Sequence, residues 1–311
     1  MSLYVVTGGA GFIGSHLVEA LVKRGDQVRV VDNFSTGKRA HLTAVSDQIE
    51  LCELDIRDLE GLRRTFQGVE YVIHQAAVPS VPLSVENPLQ THEVSATGTL
   101  NVLIAAREAG VKRVVYASSS SVYGDDPAPI QVESRAPSPL SPYAAAKLAG
   151  ENYCKAFTAV YGLETVSLRY FNVFGARQDP ASPYSAVIPI FMSAMLRGKA
   201  PTIYGDGTQT RDFVYVQNVV EANLLACHAD PKAAGAAMNL ACGERITLID
   251  LVRELNDLMG LKIAPIFAPP RPGDIKHSCA DIRLAGELLG YEPRIDLREG
   301  LARTLEWFKN S

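Results

Sequence analysis

The 311-residue chain is 47% apolar, enough to bury a large core, and it exceeds the size at which a chain tends to acquire a second domain, so one large domain with a smaller lobe is expected. A net charge of -4 with both signs interspersed offers no basic stripe to nucleic acid or anionic lipid, and no run approaches the roughly 20 apolar residues that span a bilayer. The five cysteines (Cys52, Cys154, Cys227, Cys242, Cys279) are scattered, without a Cys-x-x-Cys pair or a neighbouring His cluster, so they read as small core residues of a reduced, cytoplasmic protein and not as a metal site.

Met1 leads directly into an apolar run, Leu3 to Val6, and not into a cleavable signal, so the mature chain is expected to start here. Thr7-Gly8-Gly9-Ala10-Gly11-Phe12-Ile13-Gly14 follows, opening a helical pattern at Ile13, Leu17, Leu21 and Val22. Further β-branched runs come at Gln27 to Val31, Ile49 to Leu54, Tyr71 to His74, Arg113 to Ala117 and Glu164 to Leu168. Helical spacing lies between them, as at Leu100, Leu103, Ile104 and Val111. Continuous apolar strands separated by helices predict an α/β fold with a doubly wound parallel sheet covered on both faces.

After Phe171 the texture changes, with Pro and Gly clustered at Gly175 to Pro183, Pro201 to Gly207 and Pro265 to Gly273. Loops of that kind can form a lobe over the strand carboxyl ends, where open α/β sheets bind ligands. The expected large domain takes residues 1–171 plus roughly 212–241, and the mixed α/β lobe takes roughly 172–211 and 242–311.

Each glycine of the first turn has a mechanical reason. Gly8 permits the tight turn, Gly11 lets the backbone approach a pyrophosphate, and Gly14 lets the helix pack against the sheet. The helix amino terminus then faces the diphosphate with free N–H groups. The second strand ends at Asp32, at the fingerprint distance of about 20 residues, where a carboxylate bonds the adenosine ribose hydroxyls and repels a 2'-phosphate. That spacing predicts NAD and not NADP; the competing reading of Asp32 is a loop cap before Asn33.

Tyr-x-x-x-Lys is short enough for chance matches in a chain with 12 tyrosines, but at Tyr143 and Lys147 it follows Ser141-Pro142, a helix start, and so falls on one helical face. A free phenol has a pKa of about 10, and working near neutrality needs roughly 3 units of lowering, about 4 kcal/mol. One cation about 4 Å away at an effective dielectric of 20 supplies that much, against desolvation. An ordinary surface Tyr-Lys pair is the alternative.

With these residues in place the chain resembles the extended short-chain dehydrogenase/reductase family over nearly its whole length. The matching words are residues 7–14, Asp32-Asn33, Asp55-Ile56, His74-Gln75-Ala76-Ala77, Ser118-Ser119-Ser120, Ser141-Pro142-Tyr143 with Lys147, Arg169-Tyr170-Phe171-Asn172, and Gly205-Asp206-Gly207 with Arg211-Asp212. Within the family it is most similar to nucleotide-sugar 4-epimerases. The resemblance implies a Rossmann domain, NAD as cofactor, a UDP-sugar as substrate and a homodimer formed through helices near residues 90–110 and 143–160. It implies cofactor contacts from Gly8, Gly11, Phe12, Ile13, Gly14, Asp32, Asn33, Thr36, Gly37, Asp55, Ile56, Gln75, Ala76, Ala77, Tyr143, Lys147 and Tyr170. Substrate contacts are implied for Ser80, Ser119, Ser120, Tyr143, Asn172, Val187, Tyr204, Arg211, Arg271, Asp274 and Ser278. Paired guanidinium donors suit a diphosphate at Arg211 and Arg271, with rim salt bridges as the alternative.

The implied catalytic set is Ser119, Tyr143 and Lys147. Tyr143 as phenolate takes the proton of the sugar 4'-hydroxyl while hydride leaves C4', Ser119 bonds the same oxygen and Lys147 holds the nicotinamide ribose. A 4-keto sugar results, the ring turns over, and hydride returns on the other face. Related 4,6-dehydratases carry an Asp-Glu pair after their catalytic Thr; here Ser120-Ser121 lack the carboxyl groups that dehydration needs. In the family a small residue four after the Asp of Arg271-Pro272-Gly273-Asp274 admits an N-acetyl group, and this chain has Ser278 there; a turn cap is the other reading. Pro79-Ser80 replaces the Lys of simple glucose/galactose epimerases, as in the N-acetylhexosamine branch. UDP-glucuronate 4-epimerisation or decarboxylation is the nearest alternative activity, and a non-catalytic NAD-binding sensor is the alternative of another class. His74, His92 and His277 are expected to be structural.

Overall fold

The computed structural model describes residues 1–179, 186–270 and 276–310, so Arg271 and Asp274, with parts of the two outer Pro/Gly clusters, lie outside the described residues. Six parallel strands form where the β-branched runs lie: β1 (Leu3–Thr7), β2 (Gln27–Asp32), β3 (Ile49–Glu53), β4 (Tyr71–His74), β5 (Arg113–Ser119) and β6 (Glu164–Tyr170). β1, β2, β5 and β6 run one or two residues past the apolar runs, because their polar ends still pair; Ser119 lies opposite Tyr170. A seventh strand, Ala237–Leu240, adds beside β6 in register Ala237 to Ser167.

From one edge to the other the sheet runs Ala237–Leu240, β6, β5, β4, β1, β2, β3. Strand order reverses between β1 and β4, which places the ligand crevice of a doubly wound sheet outside the carboxyl ends Thr7 and His74. Side chains alternate between two cores. Val6, Val30, Ile73 and Val115 pack with Leu17 and Leu21 of helix α1 (Phe12–Lys23) and with Val219 and Ala222 of the helix Val216–His228. Val5, Val31, Val72 and Val114 pack with Val102 and Leu103 of the helix Gly98–Glu108 and with Cys154 and Phe157 of the helix Pro142–Tyr161. Both faces are therefore covered, as the continuous apolar strands require.

A third core gathers Phe174, Ile188, Met192, Phe213, Leu251, Leu255 and Leu301. It binds the helices Val187–Leu196, Leu248–Met259 and Leu297–Asn310 to the short strand pair Asn172–Phe174 with Phe213–Tyr215. Two other small pairs, Thr210–Arg211 with Ile246–Thr247 and Thr202–Tyr204 with Ile266–Ala268, complete it. No helix among the described residues is long and apolar enough to cross a membrane.

Candidate active site

The Gly-rich turn crosses from β1 to α1 at the reversal point. Gly8 has φ +69°, and a Cβ there would come within 2.7 Å of the Ala76 backbone nitrogen, so only glycine fits. A Cβ on Gly14 would stand 2.1 Å from the Gly8 carbonyl; this glycine lets α1 pack on the turn itself, where the sequence suggested the sheet. Gly11, with φ -74°, is different, since a Cβ there would meet only the Gly8 carbonyl at 3.1 Å and otherwise point into open space. That space, and an α1 amino end capped by no side chain, suit a diphosphate. Other helices here carry such caps, Asp58, Ser80, Ser141 and Thr247 among them.

Asp32 is buried at the end of β2. Its carboxylate accepts the Ala10 N–H at 2.9 Å and the Phe34 N–H at 2.8 Å, so it pins the turn to the strand. Gly37 passes so close that a Cβ would lie 2.8 Å from Asp32 Oδ1; Thr36 beside it is exposed. The two cations of this loop that could meet a 2'-phosphate are engaged, Lys38 with Asp179 at 2.6 Å and Arg39 with Glu53. Arg39 also lies over the Phe34 ring at 4.0 Å. On the neighbouring strand end, Asn33 donates to Asp55 at 2.9 Å, and hydrogen bonds from Arg57 lower the Asp55 carboxyl to about 2. Ile56 is buried against Gly98, and its carbonyl accepts from Asn101 at 3.2 Å. These residues fit NAD: an open glycine edge for the diphosphate and a buried carboxylate at the ribose position, where it would repel a 2'-phosphate.

On the other side of the crevice, Ser141 caps the helix Pro142–Tyr161 by accepting the Ala144 N–H at 3.2 Å. Tyr143 and Lys147 rise from its first two turns toward the end of β5. Lys147 is 3% exposed; its Nζ donates to the Ala117 carbonyl at 2.8 Å and stands 6.0 Å from the Tyr143 ring centroid. Burial pushes this ammonium down to about 8, with the Glu151 carboxylate acting the other way. Burial also raises the Tyr143 phenol, which a hydrogen bond from Ser119 lowers. Ser119 Oγ accepts the Ser121 N–H at 3.2 Å, and its single proton, directed at Tyr143 here, is the one that can turn to a reacting oxygen. The three catalytic candidates therefore meet at one point, on two adjoining elements.

Gln75 and Tyr170 are joined, because Gln75 Nε2 donates to the Tyr170 hydroxyl at 2.9 Å and Asn223 Nδ2 donates to the same oxygen at 2.8 Å. Ala76 and Ala77 follow β4, with the Ala76 N–H 3.4 Å from Thr7 Oγ1. His74 is fully buried; Thr99 donates to the Ser95 carbonyl and so accepts from His74 Nε2 at 3.0 Å, while Nδ1 accepts from Thr7 Oγ1 at 2.6 Å. Burial holds this imidazole down to about 3, so it is a neutral structural residue. Of the substrate candidates, Ser80 caps the helix Val81–Glu86 and Ser120 opens the turn after Ser119. Asn172 donates to the Asp212 carbonyl at 3.1 Å, Arg211 donates to the Thr210 carbonyl at 2.9 Å, and the Ser278 N–H reaches Thr210 at 3.1 Å. Asn172, Arg211 and Ser278 thus each bond the backbone of the Thr210–Asp212 segment, whereas Val187 opens a helix and Tyr204 is exposed on a short strand.

Asn223 and Glu151 escaped the sequence reading, and Asp212 entered it only as part of a matching word with no role given. Asp212 is fully buried and accepts N–H groups of Cys242, Gly243 and Ala280, tying the strand of Arg211 to two loops; burial pushes its carboxyl up to about 6 against those bonds. Asn223 lies among the apolar residues of its helix, the one local signal that it had a buried partner. Glu151, four residues after Lys147, forms a buried pair with Arg169 at 2.8 Å.

The NAD dependent epimerase/dehydratase family matches residues 4–241. The UDP-glucose 4-epimerase of Mycolicibacterium smegmatis is 40% identical over 311 residues, 98% of each chain. Among solved structures, a UDP-N-acetylglucosamine 4-epimerase from Methanobrevibacter ruminantium in complex with UDP-N-acetylmuramic acid superposes with a TM-score of 0.95 at 41% identity, over 99% of this chain and 98% of that one. The Thermus thermophilus UDP-glucose 4-epimerase in complex with NAD gives 0.89 at 39% identity over 99% of both. With the glycine turn, the buried Asp32 and the Ser119, Tyr143, Lys147 group all lying within the matched span, the chain belongs to the NAD dependent epimerase/dehydratase family.

Proposed function

We propose that this protein is an NAD-dependent UDP-sugar 4-epimerase, an isomerase acting on UDP-glucose and UDP-galactose and, through the small Ser278, on their N-acetylated counterparts. The observation that carries this reading is the meeting of Ser119, Tyr143 and buried Lys147 across a crevice from the Gly11 edge. NAD, when bound, supplies a reversible hydride acceptor. Gly11 and the α1 amino end would hold its diphosphate, Asp32 its adenosine ribose, and Lys147 its nicotinamide ribose. Tyr143 Oη takes the proton of the 4'-hydroxyl and returns it after the ring has turned. Ser119 Oγ donates to the same sugar oxygen throughout, and the Lys147 charge favours the phenolate. Arg211, Asn172 and, from the sequence, Arg271 hold the diphosphate, and Asp274 meets the nucleoside, so the sugar can rotate without leaving. Residues 172–211 and 242–311 serve as the lobe for the nucleotide sugar.

A homodimer would cover exposed apolar residues carried by three helices, Val81–Glu86, Pro88–His92 and Pro142–Tyr161. Val85 and Leu89 are 65% and 67% exposed, and Val160 and Tyr161 on the helix Pro142–Tyr161 are 70% and 52% exposed. A second copy covering these residues would bury their apolar surface, and sedimentation at micromolar concentration is expected to give a dimer that Leu89→Glu with Val160→Glu converts to a monomer. All five thiols are free, which suits a reducing cytoplasm.

The test is NMR of the purified protein with UDP-glucose, UDP-N-acetylglucosamine and UDP-glucuronic acid in separate tubes without reductant. 4-Epimers from the first two are expected. A uronic-acid epimer or a decarboxylated pentose as the sole product moves the assignment to the uronate branch, and no turnover with NAD bound returns it to a binding protein.

A further inference from the structure

The Glu151–Arg169 pair takes no part in the chemistry above, yet its bonds touch every element that carries that chemistry. The side chains are 6% and 5% exposed. Arg169 Nε donates to Glu151 Oε1 at 2.9 Å and Nη2 to Oε2 at 2.8 Å, a bidentate fork, and the Ser118 hydroxyl donates to Oε1 as well. Arg169 Nη1 continues to the Tyr123 hydroxyl at 2.8 Å, which donates to Asn239 at 2.7 Å. Ser118 precedes Ser119 on β5, Arg169 lies opposite Ser118 on β6, and Glu151 follows Tyr143 and Lys147 on one helical face. Stability alone is a weak reason for such a pair, because apolar side chains of similar volume fill a buried site about as well.

The surroundings of Lys147 supply a better reason. Tyr143 and Glu151 face it from its own helix, the Tyr116 ring at 5.1 Å and the Ala117 carbonyl at 2.8 Å face it from β5, and neutral His74 faces it from β4. Of these groups, Glu151 alone is a carboxylic acid residue. Burial disfavours the ammonium, and a fixed anion one helical turn away opposes that tendency. The fork from Arg169 and the Ser118 hydroxyl keep the carboxylate in place.

We propose that Glu151, held by Arg169 and Ser118, is a positioning residue for the epimerisation, keeping Lys147 in the ammonium form that serves Tyr143 and the nicotinamide ribose. The proposal rests on the reading of Tyr143 and Lys147 above. In Glu151→Gln the carboxylate is gone while the side chain keeps its shape, and the Arg169 cation is left uncompensated. Both changes disfavour a second cation nearby, so Lys147 should lose its proton about one pH unit lower. In Glu151→Met with Arg169→Met both charges are gone, and a shift in the same direction, no larger than in the single variant, is expected.

The experiment titrates Lys147 by NMR of lysine-Cε-labelled protein with NAD bound, the resonance assigned by Lys147→Met, alongside the alkaline limb of the kcat profile with UDP-glucose. Downward shifts in both readouts support the proposal. An unmoved Lys147 titration with kcat lowered uniformly at every pH assigns the pair to the scaffold and overturns it, as does failure of both variants to fold. If the wild-type protein turns over no UDP-sugar, the functional reading fails, and the NMR titration alone then decides whether Glu151 governs the Lys147 charge.

Discussion

Lys147→Met removes the ammonium while keeping most of the side chain's length and bulk. Nζ stands 6.0 Å from the Tyr143 ring centroid. At an effective dielectric of 20, unit charges at that separation interact by about 3 kcal/mol, or roughly 2 pKa units. Burial already pushes the phenol up, so loss of the cation moves it farther from neutrality. The acid limb of kcat, where Tyr143 gains its proton, should therefore rise by about 2 pH units, and turnover below that limb should fall about 100-fold. Nζ also bonds the Ala117 carbonyl at 2.8 Å, and losing that donor costs about 1–3 kcal/mol of stability, so thermal melting must accompany the kinetics. The assay is kcat for UDP-glucose from neutral to strongly alkaline pH in both proteins. A uniform drop in kcat with the acid limb in place would refute the electrostatic reasoning, since only a charge effect moves the limb.

Three other outcomes follow from the same geometry. Asp32→Ala removes the carboxylate that faces the ribose position and should narrow the preference for NAD over NADP by about tenfold, measured as the ratio of the two dissociation constants; an unchanged ratio would leave Asp32 as a cap for Ala10 and Phe34 only. The folded pKa of His74, about 3, lies below its ordinary 6.5, so the unfolded chain binds the proton first, and this contribution to stability is full above 6.5 and declines as pH falls toward 3. It has an upper limit of about 5 kcal/mol, and urea midpoints should decline less steeply in His74→Asn than in wild type over that window; equal slopes would count against it. Ser278→Tyr should cut kcat/KM for UDP-N-acetylglucosamine by about 10–200-fold while sparing UDP-glucose, and equal losses on both sugars would remove Ser278 from the gate.

Six strands were legible because each is a short run rich in apolar residues, and every one but β1 follows a helical segment. The seventh was not. Ala237-Met238-Asn239-Leu240 holds no β-branched residue, and its Asn239 is fully buried. The amide is accommodated by partners distant in sequence: Nδ2 donates to the Gln131 and Asp281 carbonyls at 3.0 and 3.1 Å, and Oδ1 accepts from Tyr123. A buried polar residue of that kind reads as loop until its partners are placed. The two- and three-residue pairs around Arg211 and Tyr204 were hidden for a related reason, being too short to show any periodicity.

The same division runs through the site. Tyr143 and Lys147 share a helix, so spacing alone puts them together, and Ser119 needed only the end of a strand. Glu151 shares that spacing, but its meaning comes from Arg169, 18 residues later on β6, and from Ser118 on β5. Tyr170 carries the point further. The resemblance implied a cofactor contact, yet its hydroxyl accepts from Gln75 and Asn223 and donates to Asn223 Oδ1 at 3.0 Å. That hydroxyl therefore also helps to fix Gln75 and Asn223. A motif names the residues that touch a ligand; the buried polar groups that aim them lie far along the chain, and only the fold brings their hydrogen bonds together.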